Sequence, residues 1–153
     1  MQEIVITAVG KDRAGLVDEL TGFLLEAGAN MADSRMVNLR GQFALIALIE
    51  CNEQQAATII AKAPAVGERI GLKVSVAPQG GSKGASGDGV PYRVKAYAMD
   101  QPGLVHRITH FLHQQGVNIE ELQTKLAPGS YTGTPLFTLD LRMTIPTSVK
   151  PKQ

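Results

Sequence analysis

The 153-residue chain has no tryptophan and a single cysteine, Cys51. One cysteine cannot close an internal disulfide, which fits a reducing, cytoplasmic setting. Charge of neither sign prevails: 15 Lys and Arg stand against 14 Asp and Glu, a net +1. That leaves no electrostatic footprint for direct binding to nucleic acid or to an anionic membrane. No run approaches the roughly 18 apolar residues of a membrane span, and the chain opens on a strand pattern rather than a signal peptide.

Catalytic arrangements are scarce as well. Cys51 ends an apolar strand with no basic neighbour in sequence, the setting of an inert buried thiol. Asp33, Ser34 and Arg35 are adjacent, but a Ser beside an Asp lacks the base and oxyanion donors of a nucleophilic site. Arg35 reads as a surface or interface charge. No glycine-rich phosphate loop follows a strand, and no aromatic pair offers bases a stacking platform. The expectation is a protein that is not an enzyme and uses no cofactor.

What is present is a repeat. Residues 12–30, DRAGLVDELTGFLLEAGAN, return as DQPGLVHRITHFLHQQGVN at an offset of 88 residues, Asp12 to Asp100. Asp, Gly, Leu, Val, Thr, Phe, Gly and Asn recur at matching positions without a gap. Such self-similarity indicates two copies of one small domain. We expect the first over 1–77, a Gly/Ser-rich flexible linker over 78–89, and the second over 90–153.

In the first copy, residues 4–9 (IVITAV) are β-branched and apolar, a buried strand. Asp12 suits an N-cap, and Leu16, Val17, Leu20, Phe23 and Leu24 form one apolar helical face over about 13–27. Gly28 stands where a helix ends left-handed. Strands follow at 30–39 and 43–50, joined by a tight hairpin at Gly41. The latter is apolar on both faces: Phe43, Leu45 and Ile49 on one, Ala44, Ile46 and Leu48 on the other. The face away from the helices is therefore expected to meet a second domain or subunit. Asn52 and Gln55 suit a capping box on a helix interrupted near Pro64; Leu72, Val74 and Val76 alternate as a fourth strand. The order β-α-β-β-α-β implies an α+β, ferredoxin-like unit.

The second copy repeats strand, helix, strand, a longer hairpin and a third strand. In that strand Phe137, Leu139, Leu141 and Met143 face the helix, while Thr138, Asp140 and Arg142 face away. The second helix and fourth strand have no counterpart before Gln153, so this copy is expected to be truncated after its third strand. A missing tail is the favoured explanation, ahead of completion by another chain and of a short form stable alone.

The repeated turn is the candidate site. A helix N-terminus offers free N–H groups and a positive dipole end to an anion such as a carboxylate. Gly15 and Gly103 permit close approach, and Asp12 or Asp100 could take an ammonium. The alternative is a capped helix start with no ligand, which local chemistry favours. Asn30 and Asn118 open the second strand of each copy; either they hold the turn or they face a site. His106, His110 and His113 share one helical face, but it lies opposite Leu104, Ile108, Phe111 and Leu112. Solvated surface is the expectation there and a metal site is not.

The D-x-x-G-L-V after the first strand, the G-x-N at the second and the element order resemble the ACT domain. The first copy, with its run from Asn30 through DSR to the Gly-x-Phe hairpin, resembles the tandem-ACT proteins of the glycine cleavage system transcriptional repressor type. The resemblance implies a cytoplasmic regulatory protein that senses a small amino acid, glycine or a similar one, and acts through a protein partner. In such repressors that partner is a DNA-binding transcriptional activator. It also implies a ligand at a domain or subunit interface, contacted by Asp12, Gly15 and Asn30 and by Asp100, Gly103 and Asn118, and a homodimer. This brings the ligand reading of the turn level with the structural one. Some ACT sensors of serine carry His two residues before the turn position and Asn at it; here Gly10 and Ala98 precede Asp12 and Asp100. Two alternatives remain: a regulatory module related to the ACT part of formyltetrahydrofolate deformylase, and a ligand-free dimerisation module.

Overall fold

Ten elements are placed by a computed structural model that describes residues 2–77, 89–99, 101–127 and 135–146. The chain divides into two compact units, Met1–Ser82 and Lys83–Gln153. Asp100, the expected linker except Gly89, most of the longer hairpin and the residues after Pro146 lie outside the described residues.

Unit 1 runs β1 (Gln2–Lys11), α1 (Leu16–Glu26), β2 (Asn30–Leu39), β3 (Gln42–Cys51), α2 (Glu53–Ile70) and β4 (Leu72–Ala77). The order anticipated for the first copy is the one found. Its four strands form an antiparallel sheet in the order β2-β3-β1-β4. Alternation on β1 and β3 sends Ile4, Ile6, Ala8, Phe43, Leu45, Ala47 and Ile49 into one core with Leu16, Leu20, Phe23 and Leu24 of α1 and Ala56, Ile59, Val66 and Ile70 of α2. The β2–β3 hairpin closes on Arg40 and Gly41, both with positive φ (48° and 84°). That is the left-handed pair demanded by a two-residue hairpin turn matching the twist of its strands.

Two sequence expectations need correction. α1 starts at Leu16 rather than Arg13, and its N-cap is Gly15 with φ 89°, not Asp12. The Gly15 carbonyl accepts the Glu19 N–H at 2.9 Å, and the Asp12 carboxylate is held elsewhere. α2 is not interrupted: it is continuous over Glu53–Ile70 with Pro64 inside. Pro64 lacks the N–H that would bond the Ile60 carbonyl. Both residues lie on the exposed side of the helix, so water can take that carbonyl. Meanwhile Ala63, Val66, Gly67 and Ile70 remain buried. The Asn52–Gln55 capping box forms as expected.

Gly67 and Gly10 have steric reasons to be glycine. A Cβ on Gly67 would lie 2.6 Å from the Leu72 carbonyl, and one on Gly10 would lie 2.7 Å from the Gly71 carbonyl. The turn from α2 into β4 therefore fills the space beside Gly10. A larger side chain there has no room.

Unit 2 runs β5 (Gly89–Met99), α3 (Leu104–Gln114), β6 (Asn118–Ala127) and β7 (Leu136–Pro146). Its sheet order, β5-β7-β6, matches β1-β3-β2. Among the described residues it has three strands and one helix. Leu139, Leu141 and Met143 form its buried core. What a second helix does in unit 1 shows in equivalent positions. Ile4 and Ile6 are 1% and 0% exposed, whereas Tyr92 and Val94 are each 37% exposed. Phe23 is 7% exposed and Phe111 49%, so Phe111, expected on the buried face of its helix, is only half covered.

Candidate functional site

Gly15 and Gly103 open α1 and α3 in the same left-handed conformation, with φ 89° and 80° and no side-chain cap. Packing does not demand glycine at either place: the nearest atom to a Cβ on Gly15 is Arg13 Nη1 at 3.8 Å, and nothing lies within 4 Å at Gly103. The backbone conformation demands it. The turns therefore leave open space above two helix N-termini.

Asp12 is fastened to the neighbouring hairpin. Its backbone N–H donates to the Gly41 carbonyl at 2.8 Å, and its Oδ2 accepts from Asn38 Nδ2 at 2.6 Å. Asn38 in turn accepts from the Gly41 N–H at 3.1 Å. Arg13 ties the same turn to the end of α2, donating to the Ile70 carbonyl at 3.1 Å and pairing with Glu19. Sequence reasoning passed over Asn38 and Arg13. Neither recurs in the second copy, where Leu126 and Gln101 stand in their places, and only the fold brings Asn38 beside Asp12.

The turn ahead of Asn30 is held by backbone bonds, Gly28 N–H to Leu25 and Ala29 N–H to Leu24, and by Gln55 Nε2 on the Gly28 carbonyl. The same backbone pair recurs ahead of Asn118, from Gly116 to His113 and from Val117 to Leu112. Asn30 is exposed and Asn118 half-buried. A bulge follows each Asn at the same offset, at Ala32 in β2 and Glu120 in β6. Bulges re-aim side chains and favour strand edges. Both β2 and β6 are edge strands.

The expected site residues do not converge within one unit. Asn30 pairs with Glu50, which pairs with Glu3 at the start of β1. Asp12 lies just past Lys11 at its far end. Nine residues at ~3.3 Å each put them about 30 Å apart. Asn118 is likewise in register with Thr144 and Pro91, while Gly103 follows Met99 at the other end of β5. Between these ends β2 presents an exposed edge with Met36, Val37 and Leu39 at 54%, 47% and 67% exposure. A groove beside it, of about 340 Å³, is lined by Asp18, Thr21, Gly22, Leu24, Leu25, Ala29 and Met31.

The remaining candidates are accounted for locally. Arg35 Nη1 donates to Asp33 Oδ1 at 2.5 Å; that hydrogen bond and charge hold the Asp33 carboxyl below the usual carboxylate range. His106 and His110 stack with ring centroids 5.6 Å apart on the exposed side of α3. Among the described residues no three His, Cys, Asp or Glu side chains are grouped to hold a metal, and no helix is long and apolar enough to cross a membrane. Cys51 is 1% exposed and burial pushes its thiol pKa up. It is expected to resist a thiol-disulfide reagent at pH 8 in the folded chain and to react fully in denaturant, since the thiolate is the nucleophile; fast reaction in native buffer would contradict that burial.

The chain is similar to several known proteins. The ACT domain family model matches residues 2–77. The glycine cleavage system transcriptional repressor of Escherichia coli (strain K12) is 28% identical over 125 residues, 82% of this chain and 65% of that protein. The chain thus spans about 65% of the length of that relative. A UPF0237 protein of Methanococcus maripaludis is 31% identical over 78 residues, 50% of this chain and 87% of that protein. The crystal structure of an unknown protein from Galdieria sulphuraria superimposes with a TM-score of 0.75 at 28% identity, over 96% of this chain and 84% of that one.

Proposed function

The chain belongs to the ACT domain family, and from that premise we propose that it is an amino-acid-sensing regulatory protein of the glycine cleavage system transcriptional repressor type. It would work in the cytoplasm, without catalysis, by binding a small amino acid and passing the change to a protein partner such as a transcriptional activator. The observation that carries this reading is the identity to the E. coli repressor, which extends over 82% of the chain and so reaches past the first unit into the second.

The separation of Asp12 from Asn30 implies how such a site would be completed. If two copies pair antiparallel along β2, centred on Ser34, the Asn30 end of one lies beside the partner's Asn38, and hence the partner's Asp12 and Gly15. Helix N–H groups would then meet the ligand carboxylate, Asp12 its ammonium, and Asn30 both through its amide. The corresponding residues of unit 2 are Asp100, Gly103 and Asn118. A ligand held between copies favours the paired state and shifts its population. A ligand-free pairing module is favoured by one fact: the Asp12 carboxylate is already bonded to Asn38.

Thermal unfolding of the purified chain against the twenty amino acids separates the two. A native-state ligand raises the melting temperature with concentration. We expect one small amino acid, glycine first among them, to do so, and Asn30→Ala to abolish the shift. No shift with any amino acid leaves the pairing module.

A further inference from the structure

The two sheets expose the same grid of positions on the side away from their helices, and the grids carry different chemistry. In unit 1 the rows across β1, β3 and β2 read Val5–Leu48–Asp33, Thr7–Ile46–Arg35 and Val9–Ala44–Val37. In unit 2 the rows across β5, β7 and β6 read Arg93–Arg142–Glu121, Lys95–Asp140–Gln123 and Tyr97–Thr138–Lys125. A mostly apolar face in one copy is a charged face in the other, with four cations and two carboxylates.

Part of that charge is locked within the face. Arg93 grips Asp140 through two bonds, Nε to Oδ1 at 3.1 Å and Nη2 to Oδ2 at 2.7 Å. This holds the Asp140 carboxyl below its ordinary range. Arg142 Nε lies 3.5 Å from Glu121 Oε2. Among the described residues Lys95 and Lys125 close no ion pair. They flank Tyr97, which is 68% exposed, around a shallow cleft of about 210 Å³ that Gln123, Thr138 and Asp140 also line.

We propose that this face of unit 2 is the docking surface for an acidic segment of a partner protein, with Tyr97 as the apolar anchor and Lys95 and Lys125 as the charged contacts. Four considerations select that occupant. The cleft has no enclosing walls, whereas small-molecule sites bury most of their ligand. A second copy docking by the same face would oppose cations to cations, and like charges brought together cost several kcal/mol. Asp140 and Glu121 within the grid repel a continuous phosphate backbone but suit a protein surface of mixed sign. Tyr and Arg are the side chains enriched where proteins bind one another. Lys95 and Lys125 stand two strands and two residues apart, about 12 Å at sheet spacings. Carboxylates at i and i+7 of a helix, roughly 10.5 Å apart along its axis, reach both with apolar residues between them on Tyr97.

The inference rests on the reading that the chain acts through a protein partner. Its test uses the full chain and a fluorescein-labelled, alanine-based helical peptide with Glu at i and i+7 and Leu at i+3 and i+4. Saturable binding that weakens with salt is expected, with the dissociation constant raised at least tenfold by Lys95→Glu plus Lys125→Glu. A peptide carrying Lys in place of both Glu should regain binding to that variant. No saturable binding, or equal binding by the double variant, overturns the proposal. So does a single-stranded DNA oligonucleotide binding more tightly than the peptide, which would make the face a nucleic-acid surface. Circular dichroism checks that the variant folds; all substituted side chains are exposed. Because binding is scored without an amino acid, its failure leaves the sensor reading intact, and failure of every amino acid to stabilise the chain leaves this face intact.

Discussion

Ile59→Ala is expected to destabilise unit 1 by about 2–5 kcal/mol. Ile59 is 0% exposed and packs in the core formed by both helices and the sheet. Truncation removes the transfer free energy of three carbons and leaves a cavity that a sheet on one side and a helix on the other cannot collapse into. Against a typical total of ~5–15 kcal/mol, that is a large fraction. The adjacent Ile60 supplies the control: it is 41% exposed, and Ile60→Ala should change stability by no more than about 0.5 kcal/mol. The composition offers a way to assign the loss. The chain has no Trp, and its three tyrosines, Tyr92, Tyr97 and Tyr131, all fall in unit 2. Tyrosine fluorescence therefore follows unit 2, while circular dichroism follows both. Urea unfolding of Ile59→Ala should move the dichroism transition and leave the fluorescence midpoint in place. Equal losses for the two isoleucines would mean that α2 does not cover the sheet as described.

Val37→Lys combined with Leu39→Lys is expected to raise the dissociation constant of the proposed homodimer at least about 100-fold. Past the bulge at Ala32 and the Asp33–Arg35 pair, β2 continues as an edge with Met36, Val37 and Leu39 exposed, and an exposed apolar edge is a template for another strand. In a two-fold contact centred on Ser34 each substitution enters twice, once at each end of the pairing, and sets two ammonium groups at each end against the partner's strand, where they lose water with no carboxylate opposite them. Sedimentation velocity over a dilution series reads the change directly. Ile60→Lys, which adds charge on the outer side of α2, should leave association unaltered. Unchanged association of the double variant would remove β2 as the pairing edge, and with it the route by which Asp12 and Asn30 come together.

Much of the fold was legible because the repeat and the periodicity agree. Alternation on β3 sorted Phe43, Leu45 and Ile49 from Ala44, Ile46 and Leu48, and the structure keeps that division. Asn52 and Gln55 announced their capping box. Where local rules misled, a longer-range contact prevailed. Asp12 looks like an N-cap, but Asn38, 26 residues away, takes its carboxylate. Pro64 looks like a break, but burial of Ala63, Val66 and Ile70 along one side carries α2 through it. Phe111 follows the apolar stripe of α3, yet it stays half exposed because coverage depends on a neighbouring element and not on the stripe. The site was least legible. Motif spacing puts Asp12, Gly15 and Asn30 within 19 residues of one another, whereas register puts the first and last at opposite ends of the sheet. The steric need for glycine at position 10 is likewise visible only when the Gly71 carbonyl is seen beside it.

Binding of an amino acid between paired copies can be read by sedimentation velocity of the full chain across a dilution series, with and without the amino acid that stabilises it. The amino acid is expected to lower the dimer dissociation constant, at saturation by the square of the factor by which pairing tightens its binding at each of the two equivalent sites. Asn30→Ala is expected to remove the effect while leaving ligand-free association in place. An amino acid that binds with no change in the association constant, or none that binds at all, would contradict binding between paired copies.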